Sequence, residues 1–173
     1  MLKGSILNTQ SLLKPRSILY LLVGMSMAWY GLRWMNQRTQ PAGLSGSLST
    51  ELADCPDRPN CVSSTAERDL NHIAPIAMTG TVAESQARLK EIIAELPRSR
   101  IVESSDRYLR AEFRSRLLGF VDDLELLLDE EQKLIFVRSA SRTGYSDFGV
   151  NRQRVETIRR RYDSQAPESP TVN

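Results

Sequence analysis

The alternation of hydrophobic and polar positions predicts two helices in the second half of the chain. Over Val82–Leu96, apolar side chains recur on one helical face. Thr81 and Glu84 have the spacing of a capping box at the start of this pattern, and Pro97 ends it. A second apolar stripe predicts a final helix near Gly149–Tyr162. Both helices are amphipathic, so each is expected to pack one face against a core.

Strands are predicted between these helices, because apolar and polar residues there follow a two-residue period. The four strands span Arg100–Ser104, Tyr108–Arg114, Leu118–Asp129 and Lys133–Ser139. The last two are predicted to form a hairpin that turns at Glu130–Glu131. In its register Asp123 faces Arg138 and forms a structural ion pair with it, on the face opposite Leu124. Short turns join consecutive strands, so the predicted fold class is α+β, with an antiparallel four-stranded sheet and two helices packed on one face.

The N-terminal region has no such alternation. Ser17–Leu32 contains no charged residue, and basic residues flank it on both sides. As a helix its sixteen residues would extend about 24 Å, less than the roughly 30 Å of a bilayer core, and snorkelling by Arg16 and Arg33 would close the gap. We therefore expect a single N-terminal transmembrane helix, an uncleaved signal anchor over 17–35. A cleaved signal peptide and a buried or surface-lying helix are the alternatives.

This anchor determines the predicted domain organisation and localisation. The segments are a basic cytoplasmic N-terminus (1–16), the transmembrane signal anchor (17–35), a flexible linker (36–50), an α+β domain (51–163) and a disordered tail (164–173). The basic residues before the anchor outweigh those after it, so the positive-inside rule places the N-terminus in the cytoplasm. The predicted localisation is the inner (cytoplasmic) membrane with a single pass, and the C-terminal domain on the periplasmic or extracytoplasmic side of the cell envelope.

Charge separates the N-terminal region from the rest of the chain. The chain has 23 basic and 21 acidic residues, and residues 1–50 hold five of the basic residues and none of the acidic ones. The folded part therefore has 18 basic and 21 acidic residues, a net charge of −3. A nucleic-acid binder would carry its positive charge on the domain itself, so no nucleic-acid partner is predicted. With 40% hydrophobic residues, the chain is expected to fold rather than to be disordered.

The chain contains two cysteines, Cys55 and Cys61, and one histidine, His72. In an exported domain the two cysteines are expected to form a disulfide; in a cytoplasmic one they would be ordinary thiols. Three such side chains are too few for a metal site of the usual kind, so no metal and no cofactor are predicted. His72 is interpreted as a hydrogen-bonded structural residue.

Two segments carry a recognisable pattern. The first is Cys-Pro-x-x-Pro-Asn-Cys-Val-Ser-Ser at 55–64, and the second is Arg-Ser-Ala-Ser-Arg-Thr-Gly-Tyr-Ser-Asp-Phe-Gly-Val-Asn-Arg-Gln-Arg at 138–154. With Asp123 and Glu125 on the strand between them, they make the chain resemble domain-of-unknown-function family 1499 from about Leu52 to Tyr162. The resemblance implies an envelope or plastid protein without an assigned reaction, and it brings no catalytic residues.

The segment Arg138–Arg154 is the richest in side chains that carry chemistry. Arginine forks and the unpaired amides at a helix start both bind phosphate and carboxylate oxygens, so the segment is predicted to form an anion site. Its candidate residues are Arg138, Ser139, Ser141, Arg142, Tyr145, Asn151 and Arg152. Asp147 is predicted to cap the helix, and there it competes for the same amides. The alternative is architectural, with hydroxyls capping the helix and arginines tying the loop to the sheet.

The predicted function is that of a membrane-anchored envelope domain that binds an anionic ligand or partner and catalyses no reaction. The partners expected are the membrane, through the N-terminal helix, and an anionic lipid, a glycan or an acidic protein. One alternative is a hydrolase or transferase that uses Asp123, Glu125, Tyr145 and arginines around an anionic substrate. The other is a structural accessory subunit of an envelope complex.

Overall fold

The computed structural model describes residues 15–41, 43–46 and 50–165. The elements in chain order are α1 (Pro15–Gln37), β1 (Cys61–Ser63), β2 (Ile76–Ala77), α2 (Val82–Glu95), β3 (Ser99–Ser104), β4 (Tyr108–Arg114), β5 (Val121–Asp129), β6 (Leu134–Ser141) and α3 (Val150–Ser164). The capping box predicted at the start of α2 is present. Thr81 Oγ1 accepts a hydrogen bond from the Glu84 amide, and the Glu84 carboxylate accepts one from the Thr81 amide.

The strands form one six-stranded antiparallel sheet in the order β1-β6-β5-β4-β3, with β2 paired to the start of β6. The prediction of four strands is therefore wrong. The two additional strands, β1 and β2, have three and two residues, which is too short to show a two-residue period. The other four strands lie where they were predicted, although β5 begins three residues later and β6 ends two residues later.

The β5–β6 hairpin is shifted by two positions from its predicted register. Glu125 lies opposite Arg138, and Asp123 lies opposite Ala140. A shift of two residues leaves every side chain on its predicted face, so Asp123 and Arg138 still share one face of the sheet. The predicted ion pair between them is wrong, because Arg138 pairs with Glu125 instead.

The turn of this hairpin explains the shift. Asp129 pairs with Leu134, which leaves the four residues 130–133 in the loop. The Asp129 carboxylate accepts a hydrogen bond from the Gln132 amide at 2.9 Å, and Lys133 has a left-handed φ of 53°. The aspartate side chain therefore closes the turn later than Glu130–Glu131, as aspartates at turn starts commonly do.

Helices α2 and α3 pack on one side of the sheet, called the inner face below. They bury an apolar core whose members include Leu89 and Ile92 of α2, Val155 and Ile158 of α3, and Leu124, Leu126, Leu128, Ile135 and Val137 of the sheet. All of these side chains are 0–1% exposed. Burial of each such side chain stabilises the fold by about 1.5–3 kcal/mol, so this core is the main source of stability.

The opposite side of the sheet, called the outer face, is apolar at one end and charged at the other. Leu52, Tyr108 and Leu127 form a small buried cluster with Phe136. The following positions on β4, β5 and β6 are Arg110, Glu112, Asp123, Glu125 and Arg138. None of the described helices covers this face, and backbone groups of Thr39 and Ser45 contact it instead.

Helix α1 reaches the folded domain at its C-terminal end. Arg33 donates from Nη1 to the Arg116 carbonyl at 2.9 Å, and Asn36 donates from Nδ2 to the Leu118 carbonyl at the same distance. Most of its other apolar side chains, from Ile18 to Met35, are exposed. α1 is therefore connected to the loop between β4 and β5 by polar contacts rather than by a shared core.

The predicted transmembrane helix over 17–35 is wrong. Within the described residues, no helix combines the length and the apolar character that crossing a membrane requires. α1 has 23 residues, but its uncharged run Ser17–Leu32 has only sixteen, and any longer segment of the helix includes Arg16 or Arg33. The predicted single-pass localisation, with the C-terminal domain on the far side of the membrane, depended on this helix and is corrected with it.

Parts of the other predicted terminal segments lie outside the described residues. These are positions 1–14 of the basic N-terminus, positions 42 and 47–49 of the linker, and positions 166–173 of the tail. Ser164 and Gln165, assigned to the tail, are the last residue of α3 and its C-cap.

Candidate functional site

The charged side chains of the outer face form a cross-strand row of alternating sign. In register, Glu103 of β3 lies beside Arg110 of β4, Arg110 beside Glu125 of β5, and Glu125 beside Arg138 of β6. Opposite charges on adjacent strands attract, so each pairing in this row is favourable. The row and its neighbours Glu112, Asp123 and Arg142 are called the ionic network below.

Glu125 is at the centre of the ionic network and is fully buried. Its Oε2 accepts from Arg138 Nη1 at 2.8 Å, and its Oε1 accepts from the Tyr108 hydroxyl at 2.7 Å and from the Ser45 amide at 2.9 Å. A buried carboxylate needs this full set of donors, because an unpaired one is strongly destabilising. Burial raises the pKa of Tyr108, and the hydrogen bond to Glu125 raises it further, so the phenol stays protonated as the donor.

Arg142 follows β6 and joins the two carboxylates of the next row. Its Nε and Nη2 donate to both oxygens of Asp123 at 2.7 and 2.8 Å, and Nη2 also donates to Glu112 at 2.6 Å. The hydrogen bonding to Asp123 raises the pKa of Arg142. Burial opposes ionisation of Glu112, but hydrogen bonds from Arg142, Arg114 and Arg100 outweigh it and lower the Glu112 pKa.

The predicted disulfide between Cys55 and Cys61 is confirmed. It closes a seven-residue loop, called the disulfide loop below, which leads directly into β1. Asn60 holds the loop to the end of β6, donating from Nδ2 to the Gly144 carbonyl at 2.8 Å. The bridge and this hydrogen bond fix the loop next to the ionic network.

A polar cavity of about 420 Å³, called the outer cavity below, lies between the disulfide loop and the outer face. Its walls are Pro56, Asp57, Arg58 and Asn60 on the loop side, and Asp123, Arg138, Ala140, Ser141 and Arg142 on the sheet side. This volume is in the range of small-molecule sites in proteins. The cavity is therefore large enough for a small ligand and is lined mainly by groups that hydrogen-bond.

The charges around the outer cavity favour an anion. Three arginines and two aspartates line it, a formal net charge of +1. Asp57 pairs with Arg68, and Asp123 is held by Arg142. Within the described residues, the exposed Arg58 guanidinium has neither an acidic partner nor a hydrogen-bond acceptor. Arg58 is thus the cation whose charge the protein leaves available at the cavity.

The structure divides the predicted anion-binding residues between the two faces of the sheet. Arg138 and Arg142 lie on the outer face and line the outer cavity. Ser139, Ser141 and Asn151 hydrogen-bond to one another between β6 and the start of α3, with Asn151 accepting from Ser139 at 2.6 Å, and of these three only Ser141 also lines the outer cavity. The seven residues proposed from the sequence therefore do not form one site, because β6 points successive side chains to opposite faces.

The remaining two candidates, Tyr145 and Arg152, lie outside both groups. Tyr145 is 73% exposed, and Arg152 donates from Nη2 to the Leu70 carbonyl at 2.9 Å. Neither lines the outer cavity. Of the residues named in the hydrolase alternative, Glu125 pairs with Arg138 and Asp123 pairs with Arg142.

Asp147 lies just before α3, whose N-cap residue is Gly149. Its carboxylate accepts from the Gly149 amide at 3.0 Å and from the Asn151 amide at 2.8 Å. These are amides that an anion at the helix start would use. The helix start is therefore occupied by the protein's own carboxylate, which leaves the outer cavity as the place where Arg138 and Arg142 could meet an anion.

Comparison with known proteins assigns the family. The model of the protein of unknown function DUF1499 matches residues 51–161, which include every residue that lines the outer cavity. The chain belongs to the DUF1499 family. No curated protein and no solved structure matches the chain. In this DUF1499 protein Thr39 and Ser45, whose backbone groups contact the ionic network, lie before the matched range.

Sequence reasoning missed two residues of this candidate site, Arg58 and Glu112. Arg58 lies in the motif Cys-Pro-x-x-Pro-Asn-Cys, where the two prolines indicated a rigid loop but not what the loop faces. Glu112 alternates with Leu109, Ala111 and Phe113 along β4, which indicated the outer face. The register between β4 and β5, which was not predicted, places Asp123 beside Glu112, and two adjacent carboxylates need a cation between them.

Proposed function

We propose that this DUF1499 domain binds a small oxyanion, carrying a phosphate or carboxylate group, in the outer cavity. The observation that supports the proposal is the convergence of Arg58, Arg138 and Arg142 on one polar cavity. Arginine presents a planar fork of N–H donors that matches both oxyanions. In this proposal the domain is a binding module, and no reaction is assigned to it.

The three arginines have different roles in the proposed site. Arg138 is 2% exposed and is oriented by Glu125, so it would supply a fixed direction at the cavity floor. Arg142 donates four hydrogen bonds, to Asp123, Glu112 and the Thr39 carbonyl. A guanidinium has five N–H groups, so one N–H of Arg142 is left for a ligand. Arg58 at the loop would supply the charge that no carboxylate of the described residues neutralises.

The arrangement is preorganised, which favours binding. Side chains that the protein already holds in place lose little conformational entropy when a ligand arrives. The ionic network holds Arg138 and Arg142, and the disulfide holds the loop that carries Arg58. Ordering of the exposed Arg58 side chain would be the main entropic cost among the three.

Calorimetric titration of the full-length protein with inorganic phosphate and with acetate tests the proposal. We expect saturable binding of at least one of these anions, and a lower affinity at higher ionic strength because Arg58 is exposed to screening. Arg58→Gln is expected to reduce the affinity about tenfold or more, since a hydrogen bond to a charged group contributes about 1.5–3 kcal/mol.

Arg107→Gln is the matched control. Arg107 is also exposed and, among the described residues, has no side-chain partner, but it lies in the β3–β4 turn away from the outer cavity. Its variant should bind with wild-type affinity. Absence of binding by the wild type, or equal affinities for Arg58→Gln and Arg107→Gln, would refute the proposed site.

A further inference from the structure

A second cavity, called the helix-side cavity below, lies on the inner side of the sheet at the end of β4. Its volume is about 390 Å³, and it opens between the C-terminal end of α2 and the first turns of α3. Its apolar lining is formed by Leu96, Pro97, Phe113 and Val150. Phe113 is buried and Val150 is 45% exposed, so the cavity runs from the core to the surface.

Four arginines surround this apolar lining, and two of them are neutralised by carboxylates. Arg154 pairs with Asp122 at 2.6 Å, and Arg114 pairs with Glu112 at 3.2 Å. The other two are Arg98 and Arg116. The cavity thus combines an apolar wall with a basic rim, whereas seven of the nine residues that line the outer cavity have polar side chains.

Arg98 and Arg116 keep their charge available at the rim. Arg98 donates from Nε to the Arg114 carbonyl, which is neutral, and within the described part of the chain neither Arg98 nor Arg116 has an acidic partner. Arg98 also has a φ of 58°, a left-handed conformation that is uncommon for any residue except glycine. Both side chains are exposed and line the cavity.

We propose that the helix-side cavity binds a monocarboxylate with an apolar body, of the medium-chain fatty acid class. The apolar body would contact Leu96, Phe113 and Val150, and the carboxylate would be bound by Arg98 and Arg116. An inorganic anion would leave the apolar wall without a partner, and a neutral hydrocarbon would leave the two arginines without one. A single molecule that carries both groups satisfies both parts of the cavity.

Octanoate is a suitable probe, titrated into the full-length protein and followed by amide chemical shifts. We expect saturable shifts centred on Arg98, Arg116 and Val150. Acetate lacks the apolar body, and octylammonium has an eight-carbon chain with the opposite charge. Each should therefore bind to the helix-side cavity at least tenfold more weakly than octanoate. Equal binding of octanoate and octylammonium, or no shifts around the cavity, would refute the proposal.

Surface variants separate this site from the outer cavity. Arg98→Gln and Arg116→Gln should each weaken octanoate binding severalfold, and Val150→Asp should weaken it further by placing a negative charge at the apolar wall. Arg107→Gln and Arg58→Gln should leave the octanoate-induced shifts at Arg98, Arg116 and Val150 unchanged, because neither residue lines the helix-side cavity. All five positions are exposed, so the variants are expected to fold. Wild-type affinity in Arg98→Gln, Arg116→Gln and Val150→Asp together would also refute the proposal.

Discussion

The two faces of the sheet are stabilised by different physical means. The inner face is covered by α2 and α3 and is an apolar core. The outer face is covered by none of the described helices and buries the ionic network, with Arg138, Glu125 and Asp123 all at 0–2% exposure. Apolar packing stabilises in proportion to the area buried, whereas a buried ionic network is stable only when every member keeps its partners.

Because of this difference, the two faces should differ in how well they tolerate substitution of a single side chain. An apolar core accepts substitutions of similar volume at modest cost. A network of buried charges does not, because the loss of one member leaves an opposite charge without compensation. The outer face therefore holds its arginines in defined positions, which a binding site requires and an apolar core does not provide.

Removing one partner of a buried ion pair should have the largest effect on the free energy of unfolding. Glu125→Ala leaves Arg138 buried without its carboxylate, and we expect the free energy of unfolding to fall by about 3–5 kcal/mol. Urea unfolding followed by far-UV circular dichroism measures the change. A variant that loses less than about 1 kcal/mol, the value of an exposed pair, would contradict this view of the outer face.

The double variant Glu125→Leu with Arg138→Met sharpens the comparison. It removes both charges and replaces them with apolar side chains, which often restores the stability of a buried pair. We expect it to be more stable than Glu125→Ala alone, even though it carries one more substitution. If the double variant is the less stable of the two, hydrogen bonds other than those of the pair dominate at this position.

On the inner face, truncating a side chain should instead lower the free energy of unfolding by leaving a cavity in the apolar core. Leu126 is 0% exposed and packs between the sheet and the helices, so Leu126→Ala should reduce the free energy of unfolding by about 3 kcal/mol. Leu126→Met conserves volume and should cost less than about 1.5 kcal/mol. Equal losses in these two variants would show that the inner face tolerates changes of shape no better than the outer face does.

The unequal behaviour of the two faces also explains what the sequence could predict. Amphipathic periods predicted α2, α3 and the four long strands, because those periods reflect the burial of one continuous inner face. The disulfide followed from two cysteines in a chain expected to be exported. The predicted transmembrane helix was wrong because the apolar run Ser17–Leu32 has only sixteen residues, and a segment long enough to span a membrane includes Arg16 or Arg33.

The outer face was less predictable, because partner choice there depends on register. Alternation along β5 and β6 put Asp123 and Arg138 on the correct face, but a turn centred one residue later than predicted moved each partner by two positions. The side chain of Asp129 decides where that turn closes. The position of the disulfide loop over β6 also depends on contacts between residues far apart in sequence, such as Asn60 with Gly144.

Loss of the disulfide should have an intermediate effect that is confined to the outer face. The bridge closes a loop between residues six positions apart, so the chain-entropy model gives a stabilisation of about 2 kcal/mol. Cys55→Ser with Cys61→Ser should lose about that amount in urea unfolding. Amide exchange should accelerate in residues 55–64 and stay unchanged in α2, which packs on the inner face, whereas faster exchange in α2 would contradict this localisation.

The smallest effect concerns the dependence of stability on pH. Burial opposes ionisation of Glu112, but hydrogen bonds from Arg142, Arg114 and Arg100 outweigh it, so its pKa in the folded state is below the ordinary value. A carboxyl with a lowered folded pKa contributes stability above its unfolded pKa of about 4.3, and this contribution is lost as the pH falls through the folded pKa. Glu112→Gln should therefore be less stable than the wild type at pH 7, and the difference should shrink steadily below about pH 4.

Glu131→Gln, which removes an exposed carboxylate in the β5–β6 turn, controls for the loss of one negative charge. Urea midpoints measured from about pH 7 to about pH 2.5 distinguish the two variants, because this range spans the unfolded pKa. A Glu112→Gln deficit that persists unchanged at the lowest pH would mean that the glutamate stabilises the outer face through packing rather than through its charge.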